Sequence, residues 1–358
     1  MKKVISLATY EESQIVIDDI VNSLLFSFDF QSLDNKSFLI IGGSGFLGSN
    51  LVKAILSINH LHNVNIEVSC IYKSKKNLKN SLGKWINHPN LTLINRDISK
   101  EILLKNKNYN YVINLASISN PSAYSGNEEL IINSNVIGSK NILNKINIPK
   151  LENYIYISSA EIYGITDEND ITEESYGVID SSSERSIYAL SKKLTETFTV
   201  AFAKSRKLSF NIIRPFHIYG PGMNIDDGKI HSEIVKAVVR GENLTLFSKG
   251  DAKRSFCYIS DAIRGLIMVT LKGSKGEIYN LGNPNTFMSI KTLIERVFKY
   301  QGVKTKLIFE HNSPYTLSPI KKNKPDVGKL NKLGWEPLVN IQNGFDRTIS
   351  HTLKAAKD

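Results

Sequence analysis

A tyrosine and a lysine stand four residues apart in the segment "YALSK", at Tyr188 and Lys192. The surrounding sequence is typical of a helix, in which residues i and i+4 lie on one face. A phenol with its ordinary pKa of about 10 is a weak base at neutral pH, but a neighbouring ammonium group stabilises the phenolate. We therefore predict that Tyr188 removes a proton from an alcohol and that Lys192 lowers the pKa of Tyr188.

Further polar groups end the apolar stretch "YISSAEIYG", which begins at Tyr156. The stretch predicts a buried strand with the Ser158 and Ser159 hydroxyls at its carboxyl end, where a hydroxyl can hold an alcohol during its oxidation. Glu161 adds a carboxylate at the same place. A carboxylate beside an oxidised carbon can act as a general base, whereas a purely structural Glu161 would accept hydrogen bonds from backbone amides.

Three glycines at Gly42, Gly45 and Gly48 form the spacing G-x-x-G-x-x-G between a strand-like apolar run and a helix-like segment. Without side chains the backbone can turn tightly and approach a pyrophosphate at the helix N-terminus. The spacing predicts a dinucleotide-binding turn, and a packing turn without a ligand is the alternative.

The next predicted strand, residues 64–72, ends without the acidic residue that commonly holds an adenosine ribose. It runs into the lysine-rich sequence "YKSKKN". A cationic strand end suits a ribose 2′-phosphate, so NAD and NADP remain alternatives, and a solvated lysine loop would explain the same residues. Asp97 and Ile98 follow a third predicted strand, and we expect them to lie near the adenine.

Strand-like apolar runs alternate with helix-length segments from residue 36 to about residue 216. This alternation predicts parallel strands joined by crossover helices, an α/β fold of the Rossmann type with a doubly wound parallel sheet. The predicted strands also include 91–95, 111–116, 154–159 and 209–214, and the predicted helices include 128–147, 187–206, 229–240, 260–271 and 289–301.

We expect three parts along the chain. Apolar residues at helical spacing within 11–28 indicate an amphipathic helix in an N-terminal helical extension, residues 1–35. Residues 36–216 are expected to form the Rossmann domain with the catalytic Ser, Tyr and Lys. Residues 217–358 are expected to form mainly a smaller C-terminal α/β substrate-binding lobe, a division that allows the chain to cross between the lobes.

The composition excludes several classes of protein. Apolar residues make up 41% and charged residues 22% of the chain, which argues against a disordered or fibrous protein. The net charge of +11 is compatible with an anionic partner or simply with a basic proteome. The lysines are scattered and lack an interleaved ladder of aromatic residues, so no nucleic-acid partner is expected.

Cys70 and Cys257 each lie in an apolar context and predict free thiols in a reducing compartment, with no disulfide framework and no metal site. The N-terminal residues lack the order of a secretion signal. No apolar run is long enough to span a membrane, so we expect a cytoplasmic protein.

The ordered motifs "NLAS", "SSAEIYG", "YALSK", "RPFHIYGPG", "KRSFCYISDAIRG", "YNLGNP" and "LGWEP", after the glycine turn, carry a family resemblance. From about Lys36 to Ser350 the chain resembles extended short-chain dehydrogenases/reductases of the nucleotide-sugar epimerase/dehydratase family. The resemblance implies an enzyme that binds NAD or NADP and a nucleoside-diphosphate sugar. It implies that Ser159, Tyr188 and Lys192 oxidise the sugar, usually at C4, and that a homodimer forms through helices including that of Tyr188. It also implies cofactor contacts by Gly42, Gly45, Phe46, Leu47, Gly48, Asp97, Ile98, Leu115, Ala116, Tyr188 and Lys192.

Within this family the chain most resembles UDP-glucuronate decarboxylases. These enzymes and the dehydratases carry Glu at the position of Glu161, where it would serve the step after oxidation. The decarboxylases also have an Arg at the position of Arg185. The resemblance further implies substrate contacts by Arg254 and by His217, which replaces an Asn common in the family. Ala160 departs from the pattern, because dehydratases or decarboxylases have Asp or Ser there and alanine donates no proton.

The resemblance therefore ranks three candidate reactions. Decarboxylation of UDP-glucuronate through a transient 4-keto sugar leads over C4 epimerisation, and 4,6-dehydration comes third. A catalytically silent dinucleotide-binding protein is the alternative outside the enzymes.

Overall fold

A fully parallel sheet of seven strands carries the site. The computed structural model describes residues 10, 12–100, 108–121, 124, 126–310 and 317–355. The strands are β1 (Ser37–Ile41), β2 (Glu67–Tyr72), β3 (Leu91–Asn95), β4 (Tyr111–Asn114), β5 (Asn153–Ile157), β6 (Phe210–Pro215) and β11 (Ile278–Leu281). They pair in the order β11-β6-β5-β4-β1-β2-β3.

Helices join these strands and continue into the C-terminal part of the chain. The helices are α1 (Gln14–Ser23), α2 (Phe46–His62), α3 (Lys75–Leu82), α4 (Glu128–Ile132), α5 (Gly138–Lys145), α6 (Ser186–Arg206), α7 (Ile230–Arg240), α8 (Ile259–Lys272), α9 (Ile290–Gln301), α10 (Gly328–Asn331) and α11 (Ile341–Ala355). A π-helical turn at Asn133–Ile137 separates α4 from α5. None of the helices in the described part of the chain has both the length and the apolarity that crossing a membrane would need.

The α/β class with a Rossmann-type sheet is confirmed. The five strands predicted with bounds are present, with ends that differ by at most three residues, and β1 precedes the glycine turn as predicted. The segment predicted as one helix over 128–147 is instead two α-helices around the π-turn. Apolar runs such as "SFLII" in β1 lie buried because helices cover both faces of a parallel sheet.

Short strands form small sheets beside the main one. They are β7 (Ile218–Tyr219), β8 (Leu244–Leu246), β9 (Lys253–Arg254), β10 (Cys257–Tyr258), β12 (Met288–Ser289), β13 (Leu307–Phe309) and β14 (Lys322–Asn323). The chain returns from this region to the main sheet at β11, which pairs with β6 at the sheet edge. The division into 1–35, 36–216 and 217–358 therefore stays a proposal, with β11 as a crossing between the lobes.

The N-terminal helix is joined to the body of the molecule by a buried ionic network. Asp19 on α1 accepts a hydrogen bond from the Tyr258 hydroxyl at 2.8 Å and pairs with Arg347 of α11 at 2.8 Å. Only 4% of Asp19 is exposed. Burial, opposed by Arg347 and Tyr258, raises the pKa of Asp19 to about 6. Residues 1–9 and 11 of the predicted extension lie outside the described residues.

This raised pKa makes the stability of the protein dependent on pH. Folded Asp19 binds its proton more tightly than the unfolded residue, so the Asp19 contribution to stability falls as the pH rises from about 4 to about 6. Relative to an Asp19→Asn variant, we expect the wild type to gain about 2–3 kcal/mol in free energy of unfolding between pH 6 and pH 4. Urea denaturation at both pH values measures the difference. Asp18→Asn is the control. If the difference in free energy of unfolding between the wild type and Asp19→Asn is the same at both pH values, as expected for Asp18→Asn, the prediction is contradicted.

Candidate active site

A cavity of about 420 Å³ opens between the carboxyl ends of the main strands and the C-terminal lobe. Every site residue predicted from the sequence lines it except Asp97, Ile98 and Ala116. The predicted residues in its wall are Gly42, Gly45, Phe46, Leu47, Gly48, Leu115, Ser159, Glu161, Arg185, Tyr188, Lys192, His217 and Arg254.

The glycine turn connects β1 to α2 and leaves no room for side chains. Gly42 has φ +85°, and a Cβ on Gly48 would lie 2.2 Å from the Gly42 carbonyl oxygen. Gly45 is the N-cap of α2 and supplies no side-chain cap, so the first amide groups of the helix remain available to an anion. These residues fit the pyrophosphate of a dinucleotide, which would bring a hydride acceptor to this end of the sheet.

The residues predicted near the adenine have other partners. The Asp97 carboxylate pairs with Lys73 at 2.9 Å and accepts a hydrogen bond from the Ser99 hydroxyl at 2.7 Å. Despite partial burial, these contacts lower the pKa of Asp97 to about 2. Ile98 packs against Gly138, and Ala116 lies against Gly42. Contacts of Asp97, Ile98 and Ala116 with a cofactor therefore stay predictions.

Lys192 fixes the catalytic helix to the end of β5. Its Nζ donates a hydrogen bond to the Ile157 carbonyl at 2.8 Å and lies 6.0 Å from the centre of the Tyr188 ring. Only 2% of Lys192 is exposed. Ser159, two residues after Ile157, accepts a hydrogen bond from the Glu161 amide at 3.2 Å. The i, i+4 spacing places the Tyr188 phenol and the Lys192 amine on one face of α6. The hydrogen bond to Ile157 brings this face to the Ser159 hydroxyl in the same cavity wall.

The pKa values of Tyr188 and Lys192 are shifted by burial. Burial raises the pKa of Tyr188 to about 12, and the Glu161 carboxylate adds to the rise, although the Ser159 and Ser117 hydroxyls oppose it. Burial also lowers the pKa of Lys192 to about 7, opposed by Glu196. The expected lowering of the Tyr188 pKa is therefore not found, because desolvation of the phenol dominates.

Glu161 lies among cationic groups at the end of β5. Its Oε1 is 4.0 Å from Nη2 of Arg185, which is the N-cap residue of α6. Arg254, on β9, is 5% exposed and donates to the Ile320 carbonyl at 2.6 Å. Burial and Arg185 lower the pKa of Arg254 to about 10, while Glu161 opposes this. The arrangement can hold an anionic ligand that carries more than one charge.

A buried network behind this wall joins α6 to the strand ends. Arg214 of β6 pairs with Glu196 of α6 at 2.7 Å and 3.0 Å, and it donates to the Tyr163 hydroxyl at 2.9 Å. Tyr163 belongs to the same "SSAEIYG" segment as Glu161 and donates to Asn280 of β11 at 2.6 Å. The network fixes the segment that carries Ser159 and Glu161 relative to the helix that carries Tyr188.

Other residues in the cavity wall were not predicted. Tyr124 stacks on Tyr188 with ring centres 5.1 Å apart. Ser117 follows the predicted Leu115 and Ala116 within the motif "NLAS", so the motif did contain a signal. Lys229 and His231 enter the cavity from the start of α7. Nothing in their sequence context, "DGKIHSEIV", distinguishes them from surface or core residues of a helix.

The chain was compared with known proteins. The model of the NAD dependent epimerase/dehydratase family matches residues 38–282. UDP-glucuronic acid decarboxylase 3 of Arabidopsis thaliana is 33% identical over 87% of this chain and 87% of its own length. UDP-glucuronic acid decarboxylase 1 of Xenopus tropicalis is 28% identical over 90% of this chain and 73% of its own.

Solved structures show the same fold. UDP-glucuronic acid 4-epimerase of Bacillus cereus, in complex with UDP-glucuronic acid and NAD, matches with a TM-score of 0.78 and 22% identity over 89% of this chain and 99% of that one. The dTDP-glucose 4,6-dehydratase of Bacillus anthracis, in complex with NAD, gives a TM-score of 0.76 and 22% identity over 90% of this chain and 98% of that one. Together with the family match and the glycine turn, strand-end serine and Tyr-Lys pair, these findings show that the chain is an enzyme of the NAD-dependent epimerase/dehydratase family.

Proposed function

We propose that the protein decarboxylates UDP-glucuronate through a transient 4-keto sugar. The observation that carries the proposal is the position of Glu161, 4.0 Å from Arg185 and in a cavity wall shared with Tyr188 and Arg254. The relatives named UDP-glucuronic acid decarboxylase support it, since one is 33% identical over 87% of the chain.

Tyr188 and Ser159 act on the C4 hydroxyl in this proposal. Ser159 holds the hydroxyl and Tyr188 removes its proton, and NAD held at the glycine turn would supply the acceptor, and later the donor, of the C4 hydride. For Tyr188 to act as a base, its pKa must fall from about 12 when the ligands bind. The positive charge of Lys192 and of the cofactor ring favours the phenolate and provides a cause for that fall.

Arg185 and Glu161 act on the uronate carboxyl group and on C5. Arg185 and Arg254 can each pair with a carboxylate or a phosphate through two parallel hydrogen bonds. Once C4 is a ketone, the carboxyl group on C5 is β to a carbonyl and leaves as carbon dioxide, with its bonding electrons remaining as an enolate. The enolate then takes up a proton at C5, and we assign the delivery of this proton to Glu161, which regains a proton from water.

Ala160 supports a second candidate, C4 epimerisation of the same uronate. Its side chain is buried beside Glu161 and has no hydroxyl that could donate a proton to C5. An epimerase needs no proton at C5, because the 4-keto sugar only has to present its other face to the returning hydride. Both candidates require the oxidation at C4, so they differ only in whether the carboxyl group leaves. The 4,6-dehydratase reaction ranks third.

NAD is the cofactor that we propose rather than NADP. The family model describes NAD-dependent enzymes. Lys73, in the cationic end of β2, already pairs with Asp97 at 2.9 Å, so the predicted attraction for a 2′-phosphate is partly satisfied within the chain. A cytoplasmic location remains part of the proposal, together with the two buried free cysteines that a reducing compartment would preserve.

We also propose a homodimer that forms through α4 and α6. These helices contact each other and together carry four large apolar side chains that are exposed in the single chain. The residues are Leu130, Ile132, Leu194 and Val200. An apolar surface on neighbouring helices is typical of a subunit interface.

The reaction is tested by incubating the purified protein with UDP-glucuronate, trapping carbon dioxide and identifying the sugar nucleotide by NMR. We expect carbon dioxide and a UDP-pentose in equal amounts. Glu161→Gln should lower the rate of carbon dioxide release by about 100-fold or more, since it removes the group assigned to proton transfer. A C4-epimeric uronate without carbon dioxide would favour the second candidate, and no product from any UDP-uronate would refute both.

The role of Tyr188 is tested with Tyr188→Phe, which removes only the phenolic oxygen. We expect turnover to fall by at least about 1,000-fold while binding of the nucleotide sugar is retained, because the oxygen acts in the transition state. Steady-state kinetics and binding calorimetry separate the two effects. Tyr176→Phe, at an exposed tyrosine, is the control. Unchanged turnover in Tyr188→Phe would refute the C4 oxidation scheme.

The dimer is tested by light scattering coupled to size-exclusion chromatography. We expect wild-type protein to have the mass of two chains and Leu194→Glu/Val200→Glu to have the mass of one, because burying two carboxylates opposes association. Leu338→Glu places the same charge at an exposed leucine outside these helices and should remain dimeric. A monomeric wild type would refute the proposed dimer.

A further inference from the structure

The cavity wall contributed by the C-terminal lobe contains buried polar atoms without hydrogen-bond partners. Among the described residues, these atoms include Nε2 of His217, Nδ1 of His231, Oδ1 of Asn323 and Oγ of Ser318. His231 and Asn323 are only 3% and 2% exposed. Buried polar atoms are normally paired, so this group indicates a ligand that supplies the missing partners.

The two imidazoles approach this wall from different elements. His217 follows β6, and His231 lies in the first turn of α7. Both rings pack near Phe256, with ring centres 5.6 Å and 6.2 Å from it. His217 also has φ +33°, which is unfavourable for a residue with a side chain and persists only where the surroundings hold it.

Charged groups surround the pair. Arg254 of β9, Lys229 before α7 and Arg185 before α6 act electrostatically on His217, together with His231 itself. Lys229 and Asp227 face His231. Burial holds the pKa of His217 well below its usual value, and the neighbouring cations lower it further. Burial and Lys229 lower the pKa of His231 to about 3. Without a ligand both imidazoles are therefore neutral.

We propose that His217 and His231 form a subsite for the diphosphate of the substrate, and that the pair takes up one proton when the diphosphate binds. A diphosphate diester brings negative charge between Arg254, Lys229 and the imidazoles, which cancels the local positive field that opposes protonation. The protonated imidazole then donates a charge-assisted hydrogen bond to a phosphate oxygen. One proton is expected for the pair, because the two rings repel each other when both are charged.

This inference rests on the proposed function, since it assumes a nucleoside-diphosphate sugar as the ligand. Binding of UDP-glucose serves as the probe because the charge of its diphosphate stays constant between pH 6 and pH 7.5. The Tyr188→Phe protein loaded with NAD is used, so that no turnover contributes heat. Calorimetry at pH 6.5 in buffers with different ionisation enthalpies measures the protons taken up per ligand.

We expect uptake of about 0.5–1 proton per UDP-glucose and an affinity that increases up to about tenfold for each unit of pH decrease. His217→Asn/His231→Gln retains polar side chains of similar shape and should bind UDP-glucose with no proton uptake and little pH dependence. His60→Gln, at a histidine outside the cavity wall, is the control and should behave as the parent does. Circular dichroism establishes that each variant is folded.

Binding of UDP-glucose without proton uptake, or equal uptake in the double variant, would overturn the inference. dTDP-glucose and GDP-mannose carry the same type of diphosphate on other nucleobases. If these bind with proton uptake while UDP-glucose does not bind, the uridine part of the proposed function fails and the two-histidine subsite stands. If none of the three binds, the subsite itself is refuted.

Discussion

The hydrogen bond from Lys192 to the Ile157 carbonyl determines the geometry of the site. At 2.8 Å it ties the first turns of α6 to the carboxyl end of β5. The bond requires a lysine to be buried, and burial lowers its pKa to about 7. The same burial keeps water from the phenol of Tyr188, whose pKa rises to about 12. Catalysis by Tyr188 and Lys192 therefore needs interactions that offset this burial, and in the proposed reaction binding of the cofactor and the sugar nucleotide would supply them.

The parallel sheet explains why residues far apart in the chain meet here. The carboxyl ends of β1, β4, β5 and β6 lie along one edge, so the glycine turn, the "NLAS" segment, the strand-end serine and His217 follow one another around the cavity. The Arg214–Glu196 pair keeps α6 in register with that edge. Because this pair is buried, loss of either partner would leave an uncompensated charge and disturb the position of Tyr188 and Lys192 together.

Elements with strong local signals could be predicted from the sequence. Strand β1 and the glycine turn follow from an apolar run and the spacing of Gly42, Gly45 and Gly48, and the shared wall of Tyr188 and Lys192 follows from the helical period. The return of β11 to the main sheet could not be predicted in detail, because its partner β6 lies more than sixty residues away and no local pattern specifies the pairing. The rise in the pKa of Tyr188 on burial could not be predicted either, since sequence spacing reveals a neighbouring charge but not the desolvation that opposes it.

Most of the site residues that could not be predicted from local sequence patterns lie in the C-terminal lobe. Arg254 could be selected only through a family resemblance, and Lys229 and His231 gave no signal of their own. The structure shows why these residues belong together, because Arg185, Lys229 and Arg254 line one cavity with His217 and act on it electrostatically. Glu161 is the acidic counterpart at the strand end, next to Arg185. In the proposed reaction, an anionic sugar nucleotide would offset the repulsion between Arg185 and Arg254, while Glu161 stays beside Arg185 at the strand end.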